Sequence, residues 1–304
     1  MYHDLTLREG SHAIRHRLTL PMIEKYCKFA EDAGIQVIEV GHGNGLGGQA
    51  LHSDIEMIRT ARTHLKNTKL SVHIIPGIAT LTRDIIPAVH AGVDIFRVAS
   101  HCKEASLTKD LIEYLCHHDT YVIGVLMMVA QCSRHELLEQ ATLMKTWGAK
   151  AIVIMDSSGS LMPRDVHKRI LTLMELDIPI GFHGHNNLQL AVANSLAARD
   201  AGASIIDVTL HGFGAGAGNT PLEIMETICP SGSVDIDKVM KFCEESPFRA
   251  PTFRPMHVLT AWYRIFSGLD VQIREQAWEC SMSVPELIKK MSEQDSRHTG
   301  TPCT

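Results

Sequence analysis

Two histidines one residue apart, His183 and His185, stand at the polar end of an apolar run. The segment reads Ile178-Pro179-Ile180-Gly181-Phe182-His183-Gly184-His185-Asn186-Asn187. Side chains alternate along a strand, so both imidazoles share a face, and such a pair suits a metal ion. An isolated His-x-His more often marks two hydrogen-bonded residues finishing a strand; the rest of the chain is what favours a metal. The centre needs an anion, and Glu9 is the best-placed carboxylate, with Asn219 able to add a neutral oxygen. Nitrogen and oxygen donors without cysteine suit Mn²⁺, Co²⁺, Zn²⁺ or Mg²⁺. Open positions on that metal would chelate a 2-oxo acid and stabilise its enolate. Arg8 supplies a fixed cation with a planar donor fork, and His12 titrates near neutrality as a general base.

The elements that must hold these groups recur along the chain. Eight short apolar runs are His3–Leu7, Gln36–Val40, Leu70–Ile75, Ile95–Ala99, Tyr121–Met127, Ala151–Met155, Pro179–Phe182 and Ile205–Leu210. Near-continuous apolar strands separated by helical lengths indicate a parallel sheet covered on both faces. Ser53-x-x-Glu56 and Ser133-x-x-Glu136 fit the capping box at a helix start, and Thr220-Pro221-Leu222-Glu223 fits it with proline at the first helical position. Gly34, Gly92, Gly148 and Gly202 fall where helices end. Eight such units predict a (β/α)8 TIM barrel, with a doubly wound α/β fold as the competitor. Six of the eight runs lead into polar ends, including Gly41-His42-Gly43-Asn44, Ser100-His101-Cys102 and Asp156-Ser157-Ser158, which places a site at the C-terminal rim.

The alternation spans residues 1–232. Beyond it, Asp235–Glu245, Pro255–Phe266 and Ser283–Ser292 read as helices of a small C-terminal appendage, residues 233–293. Residues 294–304 form a polar tail expected to fray.

Hydrophobic residues make up 45% of the 304, and the net charge is −5, with no Lys/Arg run. That argues against nucleic-acid binding, and 5% aromatics argues against a stacking platform for single strands. Eight scattered cysteines without a Cys-x-x-Cys pair are neither a disulfide framework nor a thiolate zinc site. No signal peptide or bilayer-length apolar run is evident, so a cytoplasmic protein is expected.

Leu5-Thr6-Leu7-Arg8-Glu9-Gly10-Ser11-His12-Ala13-Ile14-Arg15-His16, the His183/His185 pair and Gly214–Glu223 together resemble the 4-hydroxy-2-oxovalerate aldolase family. That family lies in the metal-dependent TIM-barrel lyase superfamily of hydroxymethylglutaryl-CoA lyase, isopropylmalate synthase and homocitrate synthase. The likeness extends over residues 3–228, through Gly41-His42-Gly43, Phe96–Glu104, Leu126-Met127-Met128, Asp156-Ser157 and Val192-Ala193-Asn194-Ser195. It implies a class II pyruvate aldolase that cleaves or forms a 4-hydroxy-2-oxo acid through a metal-bound pyruvate enolate, with a divalent metal, Mn²⁺ first among candidates. By the same resemblance His183, His185 and Glu9 are metal ligands, and Asn219 touches the metal or its water. Arg8 steadies the enolate, His12 takes the proton of the 4-hydroxyl, and Ser157 lies near the substrate carboxylate. His42 is a further substrate-binding candidate.

Three departures stand out. The family carries Asp where this chain has Glu9, the loop Gly43–His52 is short, and the C-terminal region is short and poorly matched. The family's catalytic tyrosine belongs in that region, where Tyr263 or Phe266 takes its position. The aldehyde dehydrogenase partner that the resemblance implies would dock there too, and a homo-oligomer is expected. Competing functions are a Claisen-type condensation of an acyl-CoA with a 2-oxo acid, and an inactive partner subunit on the same fold.

Other motifs receive plainer readings. Gly43–Gly48 and Gly212–Ala217 fit dinucleotide-binding glycine patterns but lack the acidic residue about twenty positions on. The second run is read as letting backbone approach a ligand or the metal. His42 and His101 are either ligand-orienting groups or rim residues, and Cys102 is a buried inert thiol. Met127, Met128 and Met155 are taken as barrel filling. Asp4 is expected to pair with Arg8, while Arg15 and His16 read as lid or helix-approach residues.

Overall fold

The eight apolar runs all become strands of one closed parallel barrel, in chain order from β1 to β8. In this computed structural model, which describes residues 1–118 and 120–294, the strands are β1 Tyr2–Leu7, β2 Val37–Val40, β3 Lys69–Ile74 and β4 Ile95–His101. They continue with β5 Tyr121–Met127, β6 Ala151–Asp156, β7 Ile180–Gly184 and β8 Ile205–Val208. Pairing of β8 with β1 through Tyr2↔Ile206 and Asp4↔Val208 closes the ring. The fold is a (β/α)8 barrel, and the doubly wound alternative is excluded by that closure.

The layer outside consists of α1 Leu20–Ala33, α2 Asp54–His64, α3 Ile86–His90, α4 Lys109–Cys116, α5 Arg134–Thr146, α6 Pro163–Leu173, α7 Ala191–Asp200 and α8 Leu222–Ile228. Both serine capping boxes form, Ser53 with Glu56 and Ser133 with Glu136. The third expectation fails. α8 begins after Pro221 without a side-chain cap, and Thr220 instead bonds Ser195 Oγ at 2.8 Å and donates to the carbonyl of Ala191 at 3.3 Å. Burial of Thr220 between β7 and α7 gives its hydroxyl better partners than the helix end offers. The four helix-terminal glycines all have positive φ, from 75° at Gly34 to 112° at Gly148, where a side chain would be strained.

The barrel interior is divided. Ile123, Val125, Ala151 and Val153 of β5 and β6 pack with Val37, Ile95 and Ile205 into an apolar inner core. Beside it lies a fully buried arginine, Arg97 of β4, which reaches Glu39 of β2 and Asp207 of β8. Contacts between strands that are not neighbours in the ring must cross its interior.

Past the barrel, α9 Ile236–Glu245 is capped by Asp235 and lays Val239, Phe242 and Cys243 onto the main core. The next helix, α10 Pro255–Trp262, stops four residues before the sequence pattern suggests. Tyr263 closes it and Arg264 takes φ 55°. α11 Asp270–Glu279 has no counterpart in the sequence reading, and α12 Val284–Gln294 follows. Met256, Ile265, Leu269, Ile273, Leu287 and Ile288 form a separate small core among these last helices. The polar tail expected at 294–304 lies, beyond Gln294, outside the described residues. Among the described residues no helix is long and apolar enough to cross a membrane.

Candidate metal centre and its cavity

β1 leads into Arg8 and Glu9, and β7 carries His183 on the same face as His185 just beyond it. Closing the ring brings these ends together. The donor atoms of Glu9, His183 and His185 all lie within 4.8 Å of one another, and all three residues are buried. His183 Nε2 and His185 Nε2 are 3.3 Å apart, and Glu9 Oε1 is 3.7 Å from His185 Nε2. His183 Nδ1 donates to Asp207 at 3.1 Å, so its Nε2 presents a lone pair to the cluster.

Burial by itself would raise the pKa of Glu9, yet Arg8 and the nearby imidazoles hold it well below the carboxylate range. Desolvation pulls His185 down to about 3, so the ring is neutral, the form that binds metals. Glu9 Oε1 and Asn219 Oδ1 are buried without a hydrogen-bond partner. Asn219 is bridged to His185 through the backbone and packs on Gly214, where a Cβ would come within 3.2 Å of Glu9 Cγ. Acceptors converging without a donor between them are what a cation would satisfy, so the residues present fit a divalent metal.

Arg8 does not pair with Asp4. Its Nε donates to Glu39 at 2.6 Å, its Nη1 pairs with Glu9, and its Nη2 is left without a partner. Asp4 faces outward, accepting from Thr6 at 2.6 Å and from Tyr26 of α1. Regular alternation would leave residues 4 and 8 on one face, but β1 carries an irregularity between Asp4 and Leu7, and past it Arg8 turns inward.

Arg97 links the remaining charges. It contacts Glu39 at 3.4 Å and grips Asp207 with both terminal nitrogens. A continuous chain thus runs from Arg8 through Glu39, Arg97 and Asp207 to His183. Burial opposes the ionisation of Glu39 and Asp207, but the two arginines outweigh it. Glu39 falls to about 2, and Asp207 is also lowered, by Arg97 and His183. None of these three charges was read from the sequence as functional. Each is a lone charge in an otherwise apolar strand, in Val-Ile-Glu-Val, Ile-Phe-Arg-Val and Ile-Ile-Asp-Val, and that is the signal that marks them.

A cavity of about 430 Å³ opens beside Glu9. Arg8, His12 and Ser157 line it, along with Phe266 from the turn after α10. His12 is half-buried, and desolvation lowers its pKa, leaving a neutral imidazole able to accept a proton. Its ring stands 6.4 Å from that of Phe266, edge to face, and Phe266 is 6.3 Å from His185. Phe266, and not Tyr263, therefore faces the site, and Tyr263 packs into the small C-terminal core. The hydroxyl of Ser157 accepts from the amide of Met128 at 3.0 Å.

His42 lies behind the lining, stacked on His16 at 3.6 Å and accepting from the Asn44 amide. His16, which lines the cavity, is held by Ser11 and the Gly43 amide, and Arg15 turns outward to Glu275 at 3.2 Å. Met127, Met128 and Met155 are wall rather than mere filling, since each borders the cavity. Cys102 is buried, its thiol directed at the Met128 carbonyl, and its pKa is raised by a hydrogen bond to Cys132 and by burial.

Residues 1–241 match the family described as HMGL-like. The 4-hydroxy-2-oxovalerate aldolase of Pectobacterium atrosepticum is 41% identical, over 95% of this chain and 89% of its own length. The chain belongs to the 4-hydroxy-2-oxovalerate aldolase family. The Spirochaeta aurantia member is 42% identical over 91% of this chain and 85% of its own. A second aldolase of that name from Salinispora arenicola reaches 49% over 73% and 66%. Among solved structures, the carboxyl transferase domain of Rhizobium etli pyruvate carboxylase superposes with a TM-score of 0.79 at 16% identity, covering 96% of this chain and 55% of that one. The N-terminal domain of an aldolase-like protein from Bacteroides vulgatus gives 0.74 at 21%, covering 89% and 95%. These two likenesses speak to the fold alone.

Proposed function

We propose that the protein is a divalent-metal-dependent pyruvate aldolase, a carbon–carbon lyase acting on a 4-hydroxy-2-oxo acid. The observation that carries this reading is the convergence of Glu9, His183 and His185 beside an unpartnered Arg8 Nη2 and a neutral His12. Glu9, His183, His185 and Asn219 would hold the metal, which supplies Lewis acidity toward the 2-oxo acid when bound. Manganese is our first choice, before magnesium, cobalt and zinc.

His12 accepts the proton of the substrate's 4-hydroxyl as the bond between C3 and C4 breaks, releasing an aldehyde and leaving the three-carbon enolate. In the reverse direction the protonated ring returns that proton to the new alkoxide. Arg8 Nη2 donates to the oxygen on which charge grows, and Glu39 fixes the guanidinium so that no reorganisation is needed at that moment. Ser157 orients the carboxylate, and Phe266 shields the reacting face from water. His42 acts at one remove, through His16, as a positioning residue. Asp207 fixes the tautomer of His183.

The same proposal treats residues 1–232 as the catalytic barrel and 233–293 as a helical appendage. It places the enzyme in the cytoplasm, in keeping with cysteines that are all unpaired among the described residues. It also takes the protein to be a homo-oligomer, which light scattering tests directly. An aldehyde dehydrogenase partner is tested by co-purification and by transfer of aldehyde without release.

The deciding experiment measures pyruvate release from a panel of 4-hydroxy-2-oxo acids with each metal and with chelator. Chelator-sensitive pyruvate formation is the expected result. Bound metal without pyruvate, together with condensation of a CoA thioester, would move the assignment to the Claisen-type reaction. Absence of both activities would leave an inactive subunit.

A further inference from the structure

The cavity's charged and unpartnered polar groups gather mainly at one end. Arg8, Glu9, His12 and Ser157 lie there, beside the metal centre, with buried His73 of β3. The opposite wall comes from β3, β4 and β5 and from the turn after α10, and is built of Ile75, Ile78, Ala99, Leu107, Met127 and Leu269.

Two polar residues in that wall, Ser100 and His101, are already engaged. Ser100 donates to the carbonyl of His101 at 3.2 Å. His101 meets Gln131 Oε1 through Nε2 at 3.0 Å and accepts the Lys103 amide at Nδ1, so its ring offers a face rather than a hydrogen bond. Half-buried Glu104 also borders this side, and its charge repels an anion.

The wall is fixed before any ligand arrives. The Ser267 amide donates to the Ser157 carbonyl at 2.9 Å, Ser267 Oγ donates to Asn187 at 2.9 Å, and Gln131 donates to the Arg264 carbonyl at 3.1 Å. At about 430 Å³ the cavity has the volume of about fourteen water molecules. A three-carbon keto acid at the polar end leaves most of that unfilled, and aliphatic side chains make up much of the lining there.

We infer that the aldehyde partner is neutral and carries an extended apolar chain or ring, seated against Ile75, Ile78, Leu107, Met127 and Leu269. This rests on the aldolase reading and names its acceptor class. Each methylene moved from water to this wall strengthens transition-state binding about fourfold. The step itself is unchanged: C3 of the pyruvate enolate bonds to the aldehyde carbon, and the alkoxide takes a proton from His12.

The test is addition of pyruvate to acetaldehyde, butanal, hexanal, benzaldehyde and the anionic aldehyde glyoxylate, with divalent metal present. The expected result is a kcat/KM at least tenfold higher for hexanal than for acetaldehyde, carried by the aldehyde KM, with glyoxylate poorest. Calorimetry gives a readout apart from turnover: 2-oxooctanoate should bind at least tenfold more tightly than 2-oxobutanoate. Leu107 is 61% exposed at the mouth, so Leu107→Glu tolerates folding, and it should cut the hexanal-to-acetaldehyde selectivity at least fivefold. Met127→Ala, checked by its melting temperature, should do the same.

A flat or falling chain-length series, or a preference for glyoxylate, overturns the inference. Deuterium exchange at C3 of pyruvate separates the two levels of failure. Exchange with a flat series leaves the aldolase reading standing and removes the apolar acceptor, whereas neither exchange nor addition removes both.

Discussion

The two halves of the barrel interior solve opposite problems. On β5 and β6 the inner residues are Ile123, Val125, Ala151 and Val153, a close-packed apolar filling that needs only volume. Across from them, Arg8, Glu9, Glu39, Arg97 and Asp207 bury full charges beside His183. Such charges are tolerable only when each is paired, and the chain from Arg8 to His183 pairs them in series. The apolar half stabilises the fold and shapes a wall. The charged half costs more to bury and fixes the orientation of the His183 imidazole and the Arg8 guanidinium. The residues proposed for chemistry lie in the half that is costly to fold.

Four tests would break or sharpen that contrast. The largest effect is expected for His185→Ala or His183→Ala, which should abolish metal binding and lower turnover by about a thousandfold or more. Metal content measured on the purified variants checks it, and normal loading would remove both from the ligand set. His12→Ala should keep its metal while losing about 10²–10⁴-fold in kcat. A variant with ordinary kcat would end its role as the base.

Charge against volume is compared by Arg97→Met and Ile123→Val, read by denaturant unfolding. The first removes the cation between Glu39 and Asp207, leaving them only Arg8 and His183, and should cost about 3–5 kcal/mol. The second removes one methyl from the apolar half and should cost about 0.5–1.5 kcal/mol. Equal losses would show that the charge chain is not the fragile element. The smallest effect concerns Asp4, on the outer face of β1, where burial outweighs hydrogen bonds from Thr6 and Tyr26 and raises the carboxyl to about 6. Its native state therefore keeps a proton that the unfolded chain has already released between pH 4 and 6. Its contribution to stability is present below that window and is lost as pH rises through it. Asp4→Asn should flatten the pH slope of the unfolding midpoint across the same range, and an unaltered slope would contradict the assignment.

Much of the architecture was legible locally. Apolar strands, serine capping boxes and left-handed glycines are short-range signals, and they marked every strand of the barrel to within a residue or two. α11 escaped because only Ile273 and Ala277 of its ten residues are buried, too narrow a stripe to stand out. β8 ended early because Thr209 and Leu210 are drawn into a turn, bonded to Thr220 and Thr6. At the site, Arg8, Glu9, His12, His183 and His185 could be picked out by type and spacing. Glu39, Arg97 and Asp207 could not, since a lone charge in an apolar strand reveals that it must be paired but not with what.

By itself, then, the sequence determined a barrel of eight parallel strands, a polar rim and the residue types from which a metal centre is made. All of these follow from periodicity, turn chemistry and ligand preference, which act over a few residues. Only the tertiary structure decided which side chains meet. Closure of β8 onto β1 set His183 beside Glu9 and joined β2, β4 and β8 through Arg97, while an irregularity within β1 left Asp4 to Tyr26 instead of Arg8. The register of the turn after α10 placed Phe266 rather than Tyr263 over the cavity. Those choices depend on contacts between residues far apart in the chain, and no local pattern encodes the direction from which a distant partner arrives.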